Sequence, residues 1–339
     1  METYMISLTS TGGLTQIPDS QKLFGALVYL FSDQYGTEKA NRFVNDILDK
    51  KMHLALSNIM PEGYFPMPVD YLVDKLHDID NEKRIDLSKY KSCLRNGKLD
   101  LKLGRSYIKQ RNYIQYPGLK GLLEDPLEAD ATYPYVKIVE KQQQRASIES
   151  TQSGIAGLDS NLYSIPYLIP LEFDGEESQG RVITKFSFFL QADEEALNSG
   201  IYEPVKGAVD AGKTIILGKR ASQGLNVFQF TGLEKCDIDK NAENMFLNMG
   251  MLLPGNINYE GSTLKLFTSE RRPFEMKGGW DSAFQRQYIS FIEAGSVIST
   301  LGSCTEASKS IQSPFDSKNI VFGNAFLYPL PTVGGIKND

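Results

Sequence analysis

The apolar residues change spacing along the first sixty residues, and that change limits the folds open to this chain. Residues 4–9 alternate as a strand does, TSTGG intervenes, and IPDSQKLFGALVYLFSDQYG then carries Leu23, Phe24, Leu27, Val28 and Phe31 at helical spacing. Asp19 or Ser20 supplies the helix cap. Residues 37–48 continue as a second helical segment, and HLALSNIM (53–60) returns to alternation. Further on, residues 135–140 and 162–169 read as strand arms around KQQQRASIESTQSGIAGLDSN, the tip of a long hairpin. Residues 182–190 are a strand, a short helix follows from Pro204, and 225–230 is the next strand. The order is β-α-β, hairpin insertion, β-α-β, that of a ferredoxin-like or RRM-type domain.

A composition shift at EKCDIDK (234–240) marks a boundary. Beyond it, residues 245–253, 262–269, 287–300 and 319–330 are mostly strand-like. The expectation is therefore an α+β chain with a first domain over 1–233 and a second, strand-rich domain over 240–339. A length of 339 residues, 41% hydrophobic and 11% aromatic, suits two such cores and excludes a disordered chain.

Net charge is −6, so any contact with nucleic acid must be local. Cys93, Cys236 and Cys304 show no C-x-x-C spacing, which points to neither a zinc site nor a disulfide framework and suits a reducing cytosol. METYMISLTS has no basic segment leading an apolar run, and the longest apolar stretch, 23–31, is too short to span a bilayer. A soluble cytoplasmic protein without membrane contact is expected.

Residues 207–214, GAVDAGKT, match the phosphate-binding G-x-x-x-x-G-K-[ST] pattern. That chemistry needs a strand before the loop and a helix starting at its Lys-Thr. Here Gly200 and Pro204 spoil a preceding strand, PVKGAVDAG reads as a helix, and Thr214, Ile215 and Ile216 favour a strand. The match reads as an accident.

The next stretch is more informative. In LGKRASQGLN (217–226), Gly218 and Gly224 bracket Lys219, Arg220, Ala221 and Ser222. Glycines let the backbone approach a ligand, cations meet phosphates, and exposed N–H groups form an anion-binding concavity. An ordinary turn with solvated cations is the alternative. A second region, within an insertion spanning about 69–133, carries Lys83, Arg84, Lys89, Lys91, Arg95, Lys98, Lys102, Arg105, Lys109, Arg111 and Lys120 against only Glu82, Asp86 and Asp100. Tyr90, Tyr107, Tyr113 and Tyr116 are interleaved, which suits stacking on unpaired bases. A solvated basic insertion is the other reading.

Three places carry a resemblance: a strand followed by IPDSQKLFGAL (17–27), the Gly-rich GKRASQG (218–224), and the polar segment around Ser147, Ile148, Glu149, Ser150 and Thr151 before NLY (161–163). FIEAGSVI (291–298) adds to it. The chain resembles the RAMP (repeat-associated mysterious protein) superfamily of CRISPR systems. It looks closest to the Csm-type, type III-A subunit that caps the crRNA at its repeat-derived 5′ handle. It departs from the family in having Leu217 before Gly218, Asn226 where another glycine is common, and Ser150 where an arginine is common.

The resemblance implies two RRM-like domains and a structural role in RNA recognition. Ser20, Lys22 and the loop residues Gly218, Lys219, Arg220, Ala221, Ser222 and Gly224 would hold the handle's phosphates. A thumb hairpin over about 135–169, through Arg145, Ser147 and Ile148, would insert into the bound RNA. The implied partners are the large polymerase-like signalling subunit and the repeating backbone subunit.

An enzyme is the competing class. Related ribonucleases use a histidine as general acid or base, and this chain offers only His53 and His77. His53 opens a predicted strand and His77 lies among acids, so structural roles are expected for both. No H-x-x-x-H or D-x-D-G pattern indicates a metal. A non-catalytic, cofactor-free handle-binding subunit leads. A histidine-dependent RNA-processing endonuclease and a P-loop nucleotide-binding protein follow it.

Overall fold

The computed structural model describes residues 1–81, 94–95, 98–147, 161–238, 244–271, 287–314 and 319–331. It is an α+β structure with antiparallel sheets. The first sheet runs in the order Thr214–Ile216, Val227–Cys236, Glu2–Ser10, Lys185–Ala192, Leu54–Leu56, and Met60–Pro61 also pairs with Lys185–Ala192. Ile6, Leu8, Phe186, Phe188, Leu190, Phe228 and Phe230 leave the central strands at alternate positions and enter one core. Three helices cover it, Ser20–Tyr35, Thr37–Leu48 and Tyr202–Asp210, through Leu23, Leu27, Phe31, Phe43, Ile47 and Val205. Asp19 is the cap of the first helix, its carboxylate accepting the N–H of Lys22 at 2.9 Å. Gly36, at φ 86°, ends that helix and starts the next.

The opposite face of the first sheet is covered as well. Phe189 packs there with Met60, Leu247, Met249, Val297 and Phe326. A strand buried on both faces has no solvent side to mark with polar residues. That is why Lys185–Ala192 reads KFSFFLQA, buried at almost every position. The strand expected over 182–190 is in fact two pieces, since Arg181–Val182 pairs into a different sheet.

That second sheet has the order Arg181–Val182, Asn161–Phe173, Tyr135–Ser147, Tyr113–Gln115, Tyr64–Pro66. Its long hairpin pairs continuously from Tyr135↔Phe173 to Ser147↔Asn161, well beyond the arms expected from sequence. In its outer half Lys141, Gln142, Gln143 and Gln144 are exposed, so no apolar alternation could announce it. The tip, 148–160, lies outside the described residues.

The insertion folds as helices Val69–Asn81, Leu101–Gln110 and Tyr116–Glu124 around Leu72, Leu76, Ile108, Leu119 and Leu122. Arg111 is 2% exposed and donates to the carbonyls of Tyr107 (2.7 Å), Asp130 (3.2 Å) and Thr132 (3.4 Å), with its guanidinium 4.3 Å from the Tyr135 ring centre. This cation staples the insertion.

The third sheet has the order Ile257–Thr263, Val297–Thr300, Met245–Asn248, Leu327–Pro329, and a separate ribbon pairs Leu266–Arg271 with Gln287–Ile292. The strands expected over 262–269 and 287–300 each break in two. The chain crosses over where Glu293 N–H donates to Lys265 O (2.8 Å) and Lys265 N–H donates to Ser296 Oγ (2.9 Å). Among the described residues beyond Cys236, none is helical.

Edge strand Leu54–Leu56 joins the first and third sheets. Leu56 N–H donates to Asn324 O (3.1 Å), Phe326 N–H to Leu56 O (2.9 Å) and Asn58 N–H to Met249 O (2.7 Å). Among the described residues, no helix is long and apolar enough to cross a membrane.

Candidate nucleic-acid interface

Three remote parts of the chain meet at the far end of strand Glu2–Ser10: the connector 11–16, the hairpin, and the Gly-rich loop 217–226. The loop's base is closed by Asn226, which is fully buried. Its amide oxygen accepts the N–H of Thr15 at 2.9 Å, and its amide nitrogen donates to Thr15 Oγ1 (2.8 Å) and Lys219 O (2.9 Å). Its backbone N–H donates to Gly13 O (2.9 Å). Gly218 packs so closely on this staple that a Cβ would lie 2.7 Å from both Asn226 Nδ2 and Gln16 Nε2.

Beyond the staple the loop turns outward. Arg220, at φ 68°, and Gly224, at φ 70°, flank a single 3-10 turn, Ala221–Gln223, and every residue from Lys219 to Gly224 is exposed. Among the described residues, no acceptor is taken by the backbone N–H groups of Gly218, Lys219 and Arg220, and no carboxylate pairs with Lys219 or Arg220. Unsatisfied amides beside uncompensated cations are the ingredients of an oxyanion site.

The hairpin leans on this loop. Leu168 N–H donates to Leu14 O at 2.8 Å, and the Tyr167 ring fills the space where Gly13 would carry a Cβ, 2.4 Å away. Arg145 Nη1 donates to Gln223 Oε1 at 3.0 Å, and the Arg220 guanidinium lies 5.6 Å from the Tyr163 ring centre. Arg145, whose strand partner is Tyr163, thus meets the loop that carries Lys219 and Arg220, more than seventy residues away in sequence.

Lys22 is half-exposed, paired with Asp19, and lines one groove with Lys219. Ser20 is different. It is wholly buried, its N–H donates to Asn58 Oδ1 (2.9 Å), and its hydroxyl accepts the N–H of Met251 (3.0 Å). Its side chain ties the first helix to the segment that follows strand Met245–Asn248. Ser147 forms the last described pair of the hairpin, with Asn161, and Ile148 lies outside the described residues.

Sequence reasoning singled out neither Asn226 as a staple nor Tyr163, Tyr167 and Gln223 as contacts. The one available signal for Asn226 was its substitution for a glycine at a position needing positive φ, which asparagine tolerates better than most residues.

The remaining candidates separate. GAVDAGKT runs from the last turn of helix Tyr202–Asp210 into strand Thr214–Ile216, the reverse of the order a phosphate loop requires, and Lys213 Nζ pairs with Asp33 at 2.8 Å. Tyr107, Tyr113 and Tyr116 of the insertion pack against the core rather than standing out as stacking platforms. Tyr90 and the basic residues 83–91 lie outside the described residues.

His53 donates its backbone N–H to Asp193 Oδ2 (2.6 Å), and burial pushes its imidazole pKa down. It precedes Leu54, which pairs with Ala192, which pairs with Glu2. The Gly-rich loop lies past Ser10, at the other end of that strand and roughly 27 Å away at the rise of an antiparallel strand. His77 is exposed on helix Val69–Asn81.

No protein-family profile matches the chain, and no curated protein sequence matches it. Solved structures do. A chain of the crystal structure of a Csm1–Csm4 cassette in complex with pppApA is similar at a TM-score of 0.54 and 13% identity, over 99% of this chain and 100% of that one. A chain of the Csm1–Csm4 cassette in complex with cA4 gives 0.53 and 13%, over 97% and 98%. At 13% identity this likeness is one of fold, and it runs the whole length of the chain. The fold it shares is that of a chain of the Csm1–Csm4 cassette.

Proposed function

We propose that this chain is a non-catalytic subunit of a type III-A CRISPR RNA-guided interference complex, holding the repeat-derived 5′ handle of crRNA between the Gly-rich loop and the hairpin. One observation carries the reading: the free amides of Gly218 to Arg220 and the cations Lys219 and Arg220 share one exposed loop without a carboxylate partner among the described residues, and Arg145 reaches that loop through Gln223. Phosphates accept from these amides and cations, while the Tyr163 ring offers a face for a base when Arg220 turns to phosphate. Lys22 extends the positive margin. Ser20 supports the reading by anchoring the helix that carries Lys22, because a fully buried hydroxyl has no access to RNA.

The domain reading is two ferredoxin-like units. Numbered along the chain, the four principal strands of the first sheet lie in the order 4-1-3-2, and those of the third sheet lie in that same order. The second unit would be a variant in which a ribbon, rather than a helix, connects its strands. The implied partners are the large signalling subunit, met in the neighbours as Csm1, and the repeating backbone subunit. The distance of His53 from the loop weighs against a histidine nuclease.

The test is to isolate the tagged chain gently from its native cells and sequence the RNA that accompanies it. Short RNAs sharing one repeat-derived 5′ end, recovered with other complex subunits, are expected. Absent or random RNA would overturn the proposal.

A further inference from the structure

Beside the Gly-rich loop runs a groove of about 680 Å³ that shares Lys22, Gly218 and Lys219 with the handle reading and adds an apolar lining which that reading does not use. One wall is the outer stripe of helix Ser20–Tyr35, where Lys22, Ala26 and Tyr29 follow at spacings of four and three. The other wall is the segment 213–219, which contributes Ile216 and ends on Lys219. Two large apolar side chains are left in solvent here, Tyr29 at 70% and Ile216 at 52% exposure.

The charges beside these surfaces are cationic and loosely held. Lys22 pairs with Asp19 and Lys213 with Asp33, both on the surface. Exposed pairs of this kind contribute little, so either ammonium can exchange its carboxylate for a phosphate at small cost. Lys219 has no ion pair among the described residues. A flat aromatic ring and a branched aliphatic face, with ammonium groups at the groove's end, match one chemistry: a planar heterocycle carrying a phosphate.

We propose that this groove takes one unpaired nucleotide of the bound RNA, its base against Tyr29 and Ile216 and its phosphate between Lys22 and Lys219. The inference rests on the RNA-binding reading and deepens it. The strand leaves the Gly-rich loop across the outer face of the first helix, and Tyr29 becomes a binding residue that no sequence motif marks.

The experiment uses the complex assembled in its native cells with the chain replaced by variants, read by the RNA retained under a salt gradient and by photocrosslinking. Tyr29→Ala is expected to lower RNA affinity roughly 5- to 150-fold, the range for losing one stacked base. Tyr29→Phe should retain it, and crosslinks should fall on the peptide containing Tyr29. Tyr29 is exposed, so an unchanged melting profile is expected for both variants. The double variant Lys219→Glu, Arg220→Glu separates the two ideas. If it strips the RNA while Tyr29→Ala does not, the handle reading stands and the groove proposal fails. If neither change alters bound RNA, both fail. Loss of a protein subunit from Tyr29→Ala complexes that keep their RNA would make the groove a protein contact and overturn the proposal.

Discussion

Asn226 stands at φ 57°, where most side chains are strained, and its amide closes the loop through three hydrogen bonds. Asn226→Ala should therefore lose both the bonds and the tolerance of that backbone, at about 2 to 4 kcal/mol. Asn226→Gly loses only the bonds and should cost about 1 kcal/mol less, a gap that urea melts of the two variants would resolve. His53 makes a second residue-level prediction. Burial holds its folded-state pKa below the ordinary value of 6.5, so the unfolded chain binds the proton first as pH falls. Stability from this group is complete above about pH 6.5 and is lost as pH drops through the window down to the folded value. Melting temperatures measured from pH 7.5 to 5.5 should fall less in His53→Gln than in the unaltered chain.

At the scale of elements, the loop depends on what lies beneath it. A Cβ on Gly12 would sit 2.0 Å from the Gly224 carbonyl, backbone against backbone, with no flexible side chain to give way. Gly12→Ala should push the loop off its seat and lower RNA affinity by an order of magnitude or more, while the melting temperature changes little because the loop residues themselves are exposed. An unchanged affinity in a filter-binding assay would mean that the loop's position is not what RNA senses. The hairpin is the second element whose value lies in its placement. Its pairing with itself is local, but Arg145 and Tyr163 matter only because Leu168 is tied to Leu14 and sets the hairpin over the loop.

Across the whole molecule, the first and third sheets are linked by hydrogen bonds through the edge strand Leu54–Leu56. Ser20→Ala would leave the buried N–H of Met251 without its acceptor, a loss of about 1 to 3 kcal/mol. Because that bond ties the first helix to the segment that follows strand Met245–Asn248, limited proteolysis should cut earlier near 251 in the variant, whereas a purely local role for Ser20 predicts cleavage only around the first helix.

Much of this was legible in the residues. The helices Ser20–Tyr35 and Thr37–Leu48, the strand Glu2–Ser10 and the inverted context of GAVDAGKT follow from spacing, capping and β-branching, which act over a few neighbours. Strand Lys185–Ala192 was legible as apolar but not in extent, since both its faces are buried and no alternation marks its ends. The basic insertion was misleading in part. Arg111 and three of its tyrosines belong to packing, and a count of charges cannot tell a buried guanidinium from a solvated one. The sequence determined by itself the elements and the chemistry of the loop, because local propensities are properties of short segments. The tertiary structure alone decided that Arg145 faces that loop, that Asn226 fastens it, that Ser20 is sealed away and that Tyr29 is not, because burial and contact depend on residues tens or hundreds of positions apart.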